Sequence, residues 1–255
     1  VSHHLSRLEA STGAKLVQRV GRGIRLTPEG ELLASRASEI VGRVDAAANE
    51  LAARVGLEAG RVRLAANASA MSTIAPRAAA ALANAHPGLE LSLIELHPAD
   101  GLLALRQGKV DVALTYRHAD DPPEEEGLRL VHVADDPIYL LSRRAGDSLT
   151  DHRHSAWIGG CERCREELIA VCRKEGFSPR IESSSDDIVV VQAFVAAGVG
   201  VATQPGLALQ AYRHPDVHAT ELSGFPRRIY AATYGEPPEA PATVALIQAI
   251  KDGAG

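Results

Sequence analysis

A chain of 255 residues, 45% of them hydrophobic and 23% charged, can bury one large core or two smaller ones without cross-links. Its net charge of −5 excludes a protein that is basic all over, and aromatics at 4% leave little for stacking on single-stranded nucleic acid. The cysteines are an odd, clustered set, and no apolar run approaches the roughly 18 residues of a membrane span, so a cytoplasmic protein without a membrane partner is expected.

The charge is unevenly placed. Residues 1–27 carry Arg7, Lys15, Arg19, Arg22 and Arg25 against Glu9 alone, a net +4, which leaves −9 for the remainder. A basic module on an acidic body points to a nucleic-acid contact, the plainer alternative being a solvated basic hairpin. Ser2 is placed to cap a helix with Leu5 and Leu8 on its apolar side, and Gly13 to stop it. Leu16 to Leu26 reads as two short strands turning at Gly21-Arg22-Gly23. Thr27 then caps a helix with Pro28 in its first turn. Leu32, Leu33, Ile40, Val44, Ala47 and Leu51 recur on one face of that helix, which runs to about Leu57. At roughly 42 Å it is too long to flank a tiny domain, and is expected to bridge domains or to pack with a copy of itself.

After Gly60 the pattern alternates strand and helix, the mark of an α/β domain. Strands are expected at Val62–Ala66, Leu89–Leu96, Val110–Thr115, Leu128–Val133, Ile138–Ser142 and Ala156–Ile158. Others follow at Arg180–Ser184, Gly200–Thr203, Val217–Leu222 and Arg228–Thr233, with helices at 73–86, 100–107, 162–175, 186–197 and 241–251. Two lobes are expected, the chain crossing between them near Val133–Ile138 and again near Phe225–Ile229. Residues 120–126 read as a solvated acidic loop.

Several segments, taken in order, carry a family likeness. They are Val1-Ser2-His3-His4-Leu5-Ser6-Arg7-Leu8-Glu9, Lys15 to Arg19, and Gly21 to Gly30 with its Leu26-Thr27-Pro28-Glu29-Gly30 end. Further along come His86-Pro87-Gly88-Leu89-Glu90-Leu91, Gly108 to Leu114, and Ala196 to Pro205. Together they resemble the LysR-type transcriptional regulators over essentially the whole chain. The resemblance implies a partial winged helix-turn-helix at 1–27 and a dimerising linker helix at 28–59. It further implies a two-lobed α/β effector domain of the type 2 periplasmic-binding-protein fold at 60–255. Lobe I would take about 60–133 and 229–255, and lobe II about 134–228. It also implies that the family's first helix and the start of the recognition helix, about 30 residues together on the usual layout, precede Val1. Val17 stands where the family commonly has Phe, a change of wing packing and not of charge.

On that reading Ser2, His3, His4, Ser6 and Arg7 face base edges, Arg22 at the wing tip enters a minor groove, and Arg25 and Thr27 touch phosphates. Between the lobes a small effector would meet Asn67, Ser69, Ser72 and Thr73, then His97, and Thr115 with Tyr116. Gly159, Gly160 and Cys161 would approach from the other lobe, with Thr203 and Gln204 opposite. Hydroxyls, amides and helix N-termini suit a carboxylate or polar metabolite, although Ser69 and Ser72 also serve as plain caps. A single Cys-x-x-Cys at Cys161 and Cys164 admits a metal or an oxidant-sensing thiol, and half-buried packing residues are the simpler reading. No nucleophile elbow, P-loop, zincin or dinucleotide motif occurs, so neither catalysis nor a cofactor is expected. The expected partners are double-stranded DNA, a small effector, a second copy in a homodimer or homotetramer, and RNA polymerase. The rival reading is a solute-binding protein of the same two-lobe fold.

Overall fold

The computed structural model describes residues 2–21, 23–54, 60–118, 127–225, 227–235 and 237–254. Helix α1 (Ser2–Thr12) ends where Gly13 turns to φ 70°, a left-handed conformation that costs glycine nothing. Strands β1 (Val17–Val20) and β2 (Gly23–Leu26) pair antiparallel, Val17 opposite Leu26. Glu9 ties helix to hairpin: its carboxylate accepts from the Leu16 N–H and from Lys15 Nζ, each at 2.9 Å. That Lys15 contact, with the Leu16 N–H bond, holds the Glu9 carboxyl below its ordinary pKa range.

Helix α2 (Pro28–Arg54) starts as the residues dictate, with Thr27 Oγ1 accepting from the Gly30 N–H at 3.0 Å. Its large apolar side chains Leu32, Ile40, Val41, Val44 and Leu51 are exposed. Halfway along, Gly42 meets Gly108 so closely that a Cβ built on Gly42 would lie 2.3 Å from the Gly108 Cα. Two glycines are what allow helix α2 to touch lobe I there.

The body holds two five-stranded sheets. Lobe I has the order β4-β3-β5-β12-β6, from β3 (Gly60–Ala66), β4 (Leu89–Glu95), β5 (Val112–His118), β6 (Leu128–Asp135) and β12 (Arg227–Tyr234). Lobe II has β11-β7-β10-β8-β9, from β7 (Ile138–Ser142), β8 (Ala156–Gly159), β9 (Arg180–Ser184), β10 (Val201–Pro205) and β11 (His218–Glu221). Strands β3, β4 and β5 run parallel, as do β8, β9 and β10.

Strand alternation explains why each sheet has a core on both faces. In β3, Val62, Leu64 and Ala66 join the core under α4 (Ile74–Ala85) and α9 (Pro241–Gly253), while Ala65 faces the core under α5 (Pro98–Arg106). In lobe II, Leu140, Trp157 and Val201 face α6 (Glu162–Lys174), and their neighbours Leu141, Ile158 and Ala202 face α7 (Ile188–Ala196). Each fully buried leucine or isoleucine contributes about 1.5–3 kcal/mol.

The expected strands and the five helices of the body are all present, with shifted ends. Strand β5 starts at Val112 and not Val110, because the Asp111 carboxylate takes the Arg63 N–H at 2.8 Å in place of a ladder bond. Three short elements escaped the sequence: α3 (Ala68–Met71), a 3₁₀ turn at Leu149–His152, and α8 (Gly206–Ala211). None is long enough to display a period. The acidic loop at 120–126 lies outside the described residues.

Candidate functional site

The two lobes are joined by β6 to β7 and by β11 to β12, and the crossings meet. The Asp136 N–H donates to the Arg227 carbonyl at 2.8 Å, and Asp136 Oδ2 lies 3.0 Å from Arg227 Nε. Both side chains are buried. Asp136 Oδ1 also caps α8 through the Leu207 N–H at 2.8 Å, and Leu207 in turn packs into the lobe I core. Arg227 donates to Ser69 Oγ at 3.0 Å and stacks 3.8 Å over the Tyr116 ring. Burial pushes the Asp136 carboxyl above the ordinary range, with Arg227 pulling against it.

A second bridge runs from α6 to β5. Arg163 lies 4.7 Å from the centre of the Tyr116 ring and donates to the Tyr116 carbonyl at 3.4 Å, and Glu167 meets His118 at 2.7 Å. At the mouth, His97 of lobe I lies 3.6 Å from Asp186 of lobe II.

Between these bridges is a cavity of about 270 Å³, continuous in its lining with a larger hollow of about 960 Å³ along α6. Nine of the twelve expected effector residues line the smaller cavity: Asn67, Ser69, His97, Tyr116, Gly159, Gly160, Cys161, Thr203 and Gln204. Two of them bring a buried polar atom with no partner among the described residues, Tyr116 Oη and Asn67 Oδ1. Such buried atoms cost free energy while nothing meets them.

The other three are not on the lining. Ser72 and Thr73 turn their hydroxyls back to the Ala68 and Ser69 carbonyls at 2.8 and 2.6 Å, the helical i−4 bond that short hydroxyl side chains make when nothing else claims them. Thr115 is buried in β5, where alternation turns it away from the face that carries Tyr116. Gln204 lines the cavity, but its amide is already committed to Gln192 at 2.9 Å and to the Ile188 carbonyl at 3.2 Å. Arg227 was missed altogether. No local motif marks it, and its partners come from three distant segments.

Cys161 caps α6, its Sγ accepting from the Cys164 N–H at 3.4 Å. Among the described residues, no group of three or more His, Cys, Asp or Glu side chains is arranged to hold a metal ion.

At the N-terminal end, His3 and His4 stand edge to face at 6.0 Å, and they, Ser6, Arg7 and Arg25 are exposed. Thr27 has its hydroxyl occupied, donating to the Lys15 carbonyl at 2.6 Å while capping α2. Arg22 and the Ser2 side chain lie outside the described residues.

Comparison with known proteins agrees with this layout. Residues 56–255 match the LysR substrate binding domain, and residues 1–31 match the bacterial regulatory helix-turn-helix protein, lysR family. The chain is 24% identical over 269 residues to the HTH-type transcriptional regulator TfdS of Cupriavidus pinatubonensis, covering 100% of this chain and 89% of that protein. It is 28% identical over 264 residues to the probable HTH-type transcriptional regulator LrrA of Synechococcus elongatus, covering 100% and 87%. The crystal structure of CbnR, a LysR family transcriptional regulator, superposes with a TM-score of 0.69 at 20% identity, over 100% of this chain and 89% of that one. The Synechocystis CcmR regulatory domain in complex with 2-PG gives 0.67 at 20% identity, over 76% and 97%. The domain matches span the basic module and both lobes: the chain belongs to the LysR family of HTH-type transcriptional regulators.

Proposed function

We propose that this regulator reads DNA through α1 and the hairpin, pairs with a second copy through α2, and is switched by a small polar effector held between the lobes. The observation that carries the effector is the cavity of about 270 Å³ at the junction of both lobes, whose lining includes Tyr116 and Asn67, each with a buried side-chain oxygen that has no partner among the described residues. The carboxylates around it are Glu95, Asp100 and Asp186, and Arg227 is already paired with Asp136. That balance favours a ligand bearing hydrogen-bond donors, an amide or ammonium, over one that is only a carboxylate. Effector binding would alter the opening between the lobes, and only a ligand with unequal affinity for two openings can shift them.

Pairing is supported by the exposed apolar face of α2, while Leu93 and Ile94 on β4 and Val189, Val190 and Phe194 on α7 are also exposed. A cytoplasmic location and a contact with RNA polymerase belong to the same reading. The solute-receptor alternative has no use for the basic module matched at residues 1–31.

The test is fluorescence anisotropy of the full-length gene product on the DNA upstream of its own gene, across a salt series, with and without hits from a thermal-shift screen of small amides, amines and carboxylates. Salt-sensitive binding that an effector alters is expected. Salt-insensitive or absent binding overturns the DNA reading, and hits confined to simple carboxylates overturn the ligand class.

A further inference from the structure

We propose that Asp147, His152 and Ser155 form a hydrolytic triad on lobe II, with Ser155 the nucleophile toward small esters that carry a second, anionic group. His152 Nε2 lies 2.9 Å from Asp147 Oδ2, and His152 Nδ1 lies 3.0 Å from the Ser155 hydroxyl. Each ring nitrogen takes its role from its neighbour. An ionised carboxylate only accepts, so Nε2 carries the proton and Nδ1 is left to accept from Ser155. A triad is recognised by such geometry and not by sequence position, which is why no nucleophile motif announces it.

The fold holds the relay in place. His152 and Asp147 are both buried, and His152 closes the 3₁₀ turn Leu149–His152. The His152 carbonyl accepts from Trp157 Nε1 and from the Ser155 N–H, each at 3.1 Å, which brings the imidazole and the serine together. The Trp157 ring stands edge to face with the imidazole, 6.5 Å between centres. Burial raises the Asp147 carboxyl, but the Ser142 hydroxyl, His152 and Arg144 outweigh it and keep the group ionised.

Ser155 is half-buried and opens on a hollow of about 630 Å³. That hollow lies at the amino ends of β8 and β10, whereas the cleft between the lobes lies at their carboxyl ends. Arg143, Arg144, Arg180 and His154 line it. Arg144 pairs with Asp147 at 3.2 Å and Arg180 with Glu182 at 2.9 Å, while Arg143 makes no ion pair or hydrogen bond among the described residues. Asp151, the other acid of the lining, is taken up by the Ser148 N–H and hydroxyl at 2.9 and 2.6 Å. Arg143 is thus free to hold a carboxylate or phosphate group of the substrate. A Cβ on Gly198 would meet its Nη1 at 3.0 Å, so glycine there gives the guanidinium its room.

The reaction is an acyl transfer to water. Ser155 Oγ attacks the ester carbonyl carbon as its proton passes to His152 Nδ1. The bond from that carbon to the alcohol oxygen breaks, and the leaving oxygen takes the proton. A water then attacks the acyl carbon and gives a proton to Nδ1, the bond to Ser155 Oγ breaks, and Oγ recovers the proton. One ester and one water become one acid and one alcohol, with no change of oxidation state. Asp147 touches no reacting atom; it is a positioning residue that fixes the tautomer and offsets the imidazolium charge. This chemistry does not rest on the effector or DNA readings.

The test follows p-nitrophenolate release from p-nitrophenyl acetate and from mono-p-nitrophenyl succinate by the full chain, and maps the acylated peptide by mass. Turnover of both esters is expected, with the lower KM for the succinate ester and the acyl group on Ser155. Ser155→Ala and His152→Gln should each lower kcat at least about a hundredfold. Asp147→Asn should lower kcat with little change in KM, and Arg143→Ala should raise the KM of the succinate ester and remove the preference for it. Independently of any variant, a fluorophosphonate should label Ser155 in the parent. An acyl group or label on Cys161 or on lysines in place of Ser155, or turnover that survives Ser155→Ala, overturns the assignment.

Discussion

Arg227 and Asp136 stand where the two crossings between lobes touch, Nε to Oδ2 at 3.0 Å, both side chains buried. The approach is close but angled, so the contact is an ion pair and not an aligned hydrogen bond; Nε and Oδ2 have no hydrogen-bond partner among the described residues, and the other atoms of each group bond elsewhere. Arg227 uses Ser69 and the Tyr116 face, and Asp136 uses the α8 N-terminus.

Breaking that pair should be expensive. Arg227→Leu leaves a buried carboxylate and should lower unfolding free energy by about 3–5 kcal/mol. The double variant with Asp136→Asn should lose less than the sum. The Asp136 carboxyl is already raised by burial, and removing Arg227 raises it further. A raised folded pKa gives stability that is full below the unfolded value and lost as pH rises through the folded one. The Arg227→Leu deficit should thus shrink as pH falls from 7 towards about 4. Urea melts at several pH values check both statements.

Asp147 should show the opposite slope. Burial raises its carboxyl, but the Ser142 hydroxyl, His152 and Arg144 outweigh this and leave it below the ordinary range. His152 Nε2 sits 2.9 Å from Oδ2. A lowered folded pKa gives stability present above the unfolded value and lost on acidification. Asp147→Asn should lower Tm at pH 7, and the difference from the parent should fade towards pH 3. A deficit independent of pH would remove the electrostatic explanation.

Trp157 anchors lobe II. It is 0% exposed, packs on Phe177 and donates from Nε1 to the His152 carbonyl at 3.1 Å. Trp157→Ala should cost about 3–5 kcal/mol, measurable by denaturant unfolding, with the lobe I transition less affected if the lobes unfold separately.

Gly42 tests the contact between the linker helix and lobe I. Alanine favours helix over glycine by about 1 kcal/mol, so Gly42→Ala should keep or raise helicity. Its Cβ, however, would meet Gly108 at 2.3 Å from the Cα. The helix must move off, and hydrogen exchange over residues 104–112 should speed up relative to the parent. Unchanged protection would show that α2 does not bear on this turn in solution.

Much of the body was legible because its signals are local. Short apolar runs such as those of β3 and β8, caps such as Thr27, and Gly13 after α1 each act over a few residues. The same locality explains the errors at the site. Ser72 and Thr73 looked like ligand hydroxyls by position, but the orientation of a helical side chain is settled by the next available acceptor, here a carbonyl one turn back. Gln204 sits where expected, and only packing shows that Gln192 had already claimed it.

Composition and spacing on their own determined a +4 module on a −9 body, a long amphipathic helix, and two lobes of alternating strands and helices. They did so because charge, turn chemistry and hydrophobic period are properties of short windows. Tertiary structure alone decided that Arg227 closes on Asp136, that Tyr116 lines the cleft with its hydroxyl buried and unpartnered among the described residues, and that Cys161 and Cys164 line that cleft together. Those relationships join segments far apart in the chain, and a buried polar group's partner is chosen by whatever packing brings within about 3 Å.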